Sequence, residues 1–461
     1  MTIWQPDLSN RKGPKYRTIA EAIAADISDG RLTPGYRLPP QRELAWALGV
    51  TVGTVSRGYA EAERNGLVKG AVGSGTYVLR PGYRQDHAMQ PAAGPGMIDM
   101  SIAFPAPGIE GDCFAAALRR IADNPQYGAL LDYQPQGGTP RHRAAGAGWF
   151  ARTGTERPPE RVVMTAGAQH GITVTLAALT QPGDRVATEA LTYNGIKPVA
   201  VMLGVKLEGL PMDAQGLLPD AFDDACRRGP LRALYCIPTG HNPTTAIMPP
   251  SRRAEIAEVA LRHGVPVIED DIFASLLPVR HTPITMMVGD LGYCITSLSK
   301  AVAPGLRIGF VTGPATMVDR LRLAVRSTCW AATPLTAEIA VQWIEDGTAD
   351  RILQSRTDEA KARLALVRKT FGDHPFDCAP GHLYVWLHLP DPWRANDFVA
   401  EAARRGVRIT SSEAFAVGRS EPPHAVRIGF GMPPTRETLT AGLETLAEIL
   451  AAPAASGPPI V

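Results

Sequence analysis

The sequence predicts two folds on one chain. One is a small, mainly α-helical N-terminal unit with a β wing. The other is a large α/β unit with a smaller α/β subdomain at its C-terminal end. Three observations lead there. The chain has 461 residues, too many for one ordinary hydrophobic core. Residues 1–80 read as helix, helix, tight turn, helix and hairpin. From about residue 98, short apolar runs alternate with helical stretches, the pattern of βα units on a largely parallel sheet with helices on both faces. Between the two, residues 81–97 are rich in Pro, Gly, Ala and Gln, lack periodicity and read as a linker.

Composition narrows the function classes. Apolar residues make up 45% and charged residues 20%, which are globular values. The six cysteines (113, 226, 236, 294, 329 and 378) are scattered, with no CxxC and no histidine cluster. That pattern argues against a metal module or a disulfide framework and suits a reducing cytoplasm. The first residues, "MTIWQPDLSNRKGPKYR", lack an apolar core of the signal-peptide kind, and no run of eighteen apolar residues predicts a membrane span. Net charge is only +2, but residues 1–80 carry +4 and the remainder −2. A basic head on a neutral body points to a polyanionic partner.

In the head, "RTIAEAIAADI" (17–27) shows helical spacing through Ile19, Ala20, Ile23 and Ile27. "DGRLTPG" is a turn. "PPQRELAWALGV" begins a helix at proline, repeats Leu44, Ala45 and Leu48, and ends at Gly49. A third helix runs from the cap Thr51 to Gly66, with Val52, Val55, Tyr59 and Ala62 on one face, and "LVKGAVGSGTYVLR" gives two short strands around a glycine-rich turn. This is a winged helix-turn-helix. Such a unit lays its second helix in the major groove of double-stranded DNA with small polar residues near the base edges. Thr51, Gly53, Thr54 and Ser56, followed by Arg57, fill that role. Arg42 is placed for a phosphate, and Gly73 and Ser74 let the wing approach the backbone closely. Residues 15–80 closely resemble the winged-helix domain of GntR-type transcription regulators. Val52 departs from the pattern, since many members carry Arg there.

In the body, five functional candidates fall at strand ends in one order: the turn 165–169 after "RVVM", Tyr193 in "EALTYNG", Asn242 in "CIPTGHNPTT", Asp270 after "VPVIE" and Lys300 after "YCITSLS". Any one alone reads as a turn, a cap or a packing residue. Together they match the separate demands of pyridoxal 5′-phosphate (PLP). Its aldehyde needs a lysine amine, its phosphate needs N–H donors, hydroxyls and a cation, its pyridine nitrogen needs a carboxylate, and its ring needs an aromatic platform. Residues 98–452 resemble the aspartate aminotransferase fold, fold type I of PLP-dependent transferases, with a small subdomain over about 350–452. The resemblance implies that Lys300 carries the cofactor covalently. It implies that Ser297, Ser299 and Arg307, with Gly167, Ala168 and Gln169, bind the phosphate. Tyr193 stacks on the ring, Asn242 meets the ring oxygen, and Asp270 pairs with the ring nitrogen. Arg427 in "HAVRIGF" matches the residue that holds a substrate α-carboxylate. Tyr133 matches one that reaches the partner subunit's phosphate site. The family tyrosine just after the aspartate is absent; Ile272 and Phe273 stand there instead.

Head and body together resemble the MocR/GabR subfamily of GntR-type regulators. That resemblance implies a cytoplasmic, PLP-dependent transcription regulator, usually a head-to-tail homodimer, that senses an amino-acid-like effector or the cofactor itself. The rival reading is a working aminotransferase that carries a DNA-binding domain.

Overall fold

The computed structural model describes residues 4–6, 8, 13–33, 36–64, 67–71, 75–78, 96–278, 280–418 and 421–451. The chain divides into two compact units, Met1–Met89 and Gln90–Val461. The wing residues Gly73 and Ser74, the end of the third head helix at residues 65–66, and most of the expected linker (81–95) lie outside the described residues.

In the first unit, α1 (Lys15–Ser28), α2 (Gln41–Ala47) and α3 (Val52–Arg64) enclose Ile19, Ile23, Leu44, Val55, Tyr59 and Ala62, all buried. Burying each large apolar side chain contributes about 1.5–3 kcal/mol. The antiparallel strands β1 (Val68–Ala71) and β2 (Gly75–Val78) add their paired end residues Val68 and Val78 to the same core. Gly49 lies at φ +62° just past α2, and the Val50 N–H returns to the Ala45 carbonyl at 3.0 Å. The Thr54 N–H donates to Thr51 Oγ1 at 3.2 Å, so Thr51 caps α3 as its sequence position suggests. Val52 departs from expectation. It opens α3 beside the exposed Thr51 and Gly53 and is itself 44% exposed, so the apolar face begins one turn later at Val55.

The large sheet of the second unit contains β3 (Val162–Thr165), β4 (Arg185–Glu189), β5 (Lys206–Leu210), β6 (Ala233–Cys236), β7 (Val267–Asp270), β8 (Gly292–Ser297) and β9 (Gly309–Thr312). Their order across the sheet is β3-β9-β8-β7-β6-β4-β5. Only β9 runs antiparallel to its neighbours. Strands β3, β6, β7, β8 and β9 are buried at every position, which is why they read as unbroken apolar runs rather than alternating ones. The edge strand β5, "KLEGL", is mostly half-exposed and lacks that signal. Sequence reading did not mark it.

A second, four-stranded antiparallel sheet holds β10 (Phe376–Asp377), β11 (Tyr384–His388), β12 (Thr410–Ser411) and β13 (Ala425–Gly429), in the order β10-β11-β13-β12. Helices α5 (Thr348–Phe371) and α6 (Arg436–Ala451) pack on it through Leu364, Val367, Leu443 and Leu446; α4 (Ala168–Leu179) covers the large sheet through Ile172. The first strand among the described residues of this unit, Ile98–Asp99, pairs in parallel with Val407–Arg408.

Candidate functional site

The carboxyl ends of parallel strands share one edge of the sheet, so the segments that leave β3, β4, β6, β7 and β8 gather there. Strand β9 runs the other way. Its first residue, Gly309, lies opposite Ser297, which brings Arg307 back to the same edge. Thus ten of the candidates converge although they span residues 167 to 307.

Asp270 ends β7 and is 1% exposed. Its Oδ2 accepts from Tyr235 Oη at 2.6 Å, while Oδ1 is buried without a partner. Burial lifts its carboxyl to about 6, against the pull of the Tyr235 hydroxyl, the Ile272 N–H and Lys300. Lys300 Nζ donates to the Ala103 carbonyl at 2.6 Å. Burial first, and then the charges of Arg427 and Arg307, bring its amine down to about 8; Asp270 opposes them.

The phosphate candidates form the next layer. Ser297 is 1% exposed and its Oγ accepts from the Ser299 N–H at 3.0 Å, while Ser299 Oγ is buried and unpartnered. Arg307 sits in the left-handed region at φ +54°, a strain of about 1–3 kcal/mol for a non-glycine residue. Its Nη2 donates to the Ala166 carbonyl at 3.3 Å. Gly167 (φ +85°) precedes Ala168, the first residue of α4, and a Cβ there would lie 2.8 Å from Arg307 Nη2. Gln169 Nε2 donates to the Gly195 carbonyl at 2.7 Å and leaves Oε1 buried without a partner. A Cβ on Gly195 would lie 2.4 Å from the Tyr193 ring, so glycine is what admits that ring. Burial, with Asp270 second, raises the Tyr193 phenol.

Arg427 lies in the middle of β13 and is 6% exposed, not a surface residue at a strand edge. Nη1 donates to Asn242 Oδ1 at 2.8 Å and Nη2 to the Ser101 carbonyl at 2.6 Å. Its guanidinium lies 4.7 Å from the Phe415 ring centroid and 5.3 Å from that of Tyr384. Burial lowers it to about 10. Nε has no hydrogen-bond partner, and among the described residues no carboxylate pairs with this guanidinium. A buried arginine without an anion is costly unless an anion completes it.

The residues present fit PLP on two counts that the structure itself supplies. Asp270 Oδ1 and Ser299 Oγ are buried polar atoms without partners, an acceptor suited to the ring N–H and a donor suited to the phosphate. Each such atom costs about 1–3 kcal/mol unless something pairs with it.

Tyr133 stands apart. It is 87% exposed, and its ring packs 5.2 Å from that of Trp330. Ile272 and Phe273 are core residues, and Phe273 lies 4.6 Å from the His382 ring. Tyr235 supplies a phenol to Asp270 from the adjacent strand, a different place from that of the family tyrosine that Ile272 and Phe273 replace. Tyr235 was passed over because it sits inside the apolar run "ALYC", where a tyrosine reads as packing. Ser101 and Ala103 were passed over because they act through backbone carbonyls, which leave no residue signature. In the head, Arg42, Thr51, Gly53, Ser56 and Arg57 are exposed and Thr54 is half-buried; the Arg57 guanidinium lies 5.5 Å from the Tyr16 ring.

Fold and site together define an aminotransferase-type domain that follows a winged helix-turn-helix. Residues 100–446 match the model for aminotransferase class I and II, and residues 15–78 match that for bacterial regulatory proteins of the gntR family. Relatives include the uncharacterized HTH-type transcriptional regulator YdeF of Bacillus subtilis, 29% identical over 97% of this chain and 96% of that protein. Another is the HTH-type pyridoxine biosynthesis transcriptional regulator PdxR of Corynebacterium glutamicum, 25% identical over 90% of this chain and 91% of that one. Among solved structures, LysN, an α-aminoadipate aminotransferase from Thermus thermophilus complexed with N-(5′-phosphopyridoxyl)-L-leucine, superposes with a TM-score of 0.70. That match is 22% identical and covers 77% of this chain and 92% of LysN. An archaeal alanine:glyoxylate aminotransferase gives 0.71 at 22% identity, over 78% and 91% of the two chains. The chain belongs to the class I and II aminotransferase family, whose members use PLP, and its GntR region makes it a GntR-type helix-turn-helix regulator fused to an aminotransferase-like domain. No described helix is long and apolar enough to cross a membrane.

Proposed function

We propose that this protein is a cytoplasmic transcription regulator that binds PLP in its aminotransferase-like unit and responds to an amino-acid-type effector, or to the cofactor itself. One observation carries the reading. The half-buried amine of Lys300, the buried guanidinium of Arg427 and the half-satisfied carboxylate Asp270 share one cluster, and neither cation has an ion-pair partner among the described residues. Bound PLP supplies an aldehyde and an electron-withdrawing ring. Lys300 then holds it covalently through its neutral amine. Ser297, Ser299, Arg307 and the Gly167–Ala168–Gln169 turn hold its phosphate. Tyr193 stacks on the ring, Asn242 faces the ring oxygen, and Asp270 accepts from the ring nitrogen. Arg427 takes the effector carboxylate, and its bond to Asn242 joins the effector position to the cofactor position.

In the head, Thr51, Gly53, Thr54, Ser56 and Arg57 face the operator bases, with Arg42, Gly73 and Ser74 at the DNA backbone. In a head-to-tail homodimer Tyr133 serves the partner subunit's site, a reading supported by its 87% exposure. Phe273 in place of the family phenol favours sensing over turnover, and the measurement that bears on this is steady conversion of an amino acid with 2-oxoglutarate. The cofactor reading is tested by adding PLP to the purified chain. The near-ultraviolet absorbance of a reduced pyridoxyl-lysine adduct that survives denaturing gel filtration after borohydride reduction is expected for wild type and not for Lys300→Ala. Equal covalent retention in both would refute the Lys300 assignment.

A further inference from the structure

The two cations of the site are held by the same short stretch of backbone. Arg427 Nη2 donates to the Ser101 carbonyl and Lys300 Nζ to the Ala103 carbonyl, both at 2.6 Å. These carbonyls belong to the segment 98–106, the first described stretch after the linker region. The stretch is fastened along its length. Ile98 and Met100 N–H groups donate to the Gly406 and Arg408 carbonyls at 2.8 Å, and the Gly429 N–H donates to the Met100 carbonyl at 2.7 Å. Asp99 Oδ1 accepts from the Ser101 N–H at 2.9 Å and from its Oγ at 2.6 Å, and Thr410 Oγ1 donates to the Ser101 carbonyl at 2.8 Å. Gly429 and Gly431 allow the close approach: a Cβ on either would lie 2.4 Å from the Ile102 carbonyl oxygen or 1.7 Å from that of Phe104.

We infer that segment 98–106 is an internal competitor, whose Ser101 and Ala103 carbonyls occupy the cations that ligands claim. The inference rests on the cofactor and effector reading above. A carboxylate that takes Arg427 bidentately needs the Nη2 donor that Ser101 now uses. A lysine amine joined to a cofactor can no longer donate to Ala103 as an ammonium does. Occupancy therefore withdraws the two side-chain donors from this stretch and loosens it. The released carbonyls are hydrogen-bond acceptors that water can satisfy, so the exchange is a competition and not a steric block.

The test uses the full chain with PLP and with N-(5′-phosphopyridoxyl)-L-alanine, a stable probe that carries both a phosphate and an α-carboxylate. Thr410→Val and Asp99→Ala weaken the hold on Ser101 and touch neither cation. Each should bind the probe about 3- to 10-fold tighter, the worth of one modest hydrogen bond. Thr410→Ser, which keeps the hydroxyl, should return to wild type. In wild type, hydrogen exchange in peptides spanning 96–106 should quicken when the probe binds, which covers the case of a poorly folding variant. Unchanged or weaker probe binding in both variants, or unaltered exchange in wild type, overturns the competition. Failure of wild type to take up PLP at all instead overturns the cofactor reading beneath it.

Discussion

Lys300 shows how position alters a single side chain. Burial and the neighbouring charges of Arg427 and Arg307 bring its amine to about 8 from an ordinary 10.5. The neutral amine is the reactive form. PLP uptake, followed by visible absorbance, should therefore accelerate as pH rises through about 8 and level off above it. Arg427→Met removes one of the lowering charges and should move that midpoint upward; a profile flat from pH 6 to 10 would contradict this. The same depression means that the unfolded chain holds its proton longer, so the cofactor-free fold should gain stability as pH rises from about 8 towards 10.5. Phe273 is the other informative residue. In Phe273→Tyr, a hydroxyl that donates to the ring oxygen would stabilise its anionic form, so the visible absorbance of the loaded protein should titrate at lower pH than in wild type. An unmoved titration would mean that the new phenol does not reach the ring.

Among elements, α1 and α3 cross closely in the head, since a Cβ on Gly58 would lie 2.9 Å from Ile19 Cγ2. Overpacking of this kind costs about 1–3 kcal/mol. Gly58→Val should lower the melting temperature of the head and abolish DNA binding while PLP uptake persists, because the head core and the body cores share no residue. Simultaneous loss of both activities would show that the two cores melt as one. The periodicity of α1 and α2 was legible because each buries one face. Val52 misled because periodicity alone does not say where along a helix the core begins. β5 escaped notice because an edge strand, half-exposed on both sides, carries neither an apolar run nor a clean alternation.

At the scale of the whole molecule, charge is unevenly shared, with +4 on residues 1–80 and −2 on the rest. DNA affinity should therefore fall with salt, log K against log salt sloping by roughly −0.9 for each phosphate neutralised. Arg42→Ala should reduce that slope by about one contact and weaken binding to all sequences alike. A loss confined to one operator sequence would reassign Arg42 to base reading. The aminotransferase-like unit should load PLP equally well in that variant, since Arg42 lies in the other unit.

The sequence by itself determined the two folds, the strand ends that carry Asp270, Asn242, Tyr193 and Lys300, and the head helices, because these depend on local periodicity and on residue types that chemistry singles out. Tertiary structure alone decided what those residues touch. The reversal of β9 returns Arg307 to the edge where Lys300 sits, and no local pattern encodes that reversal. Arg427 is buried because its strand lies between β11 and β12, a neighbour relation set by the sheet and not by "HAVRIGF". Tyr235, Ser101 and Ala103 joined the site only in three dimensions, since a tyrosine in an apolar run and two backbone carbonyls acquire a role from what faces them across a fold.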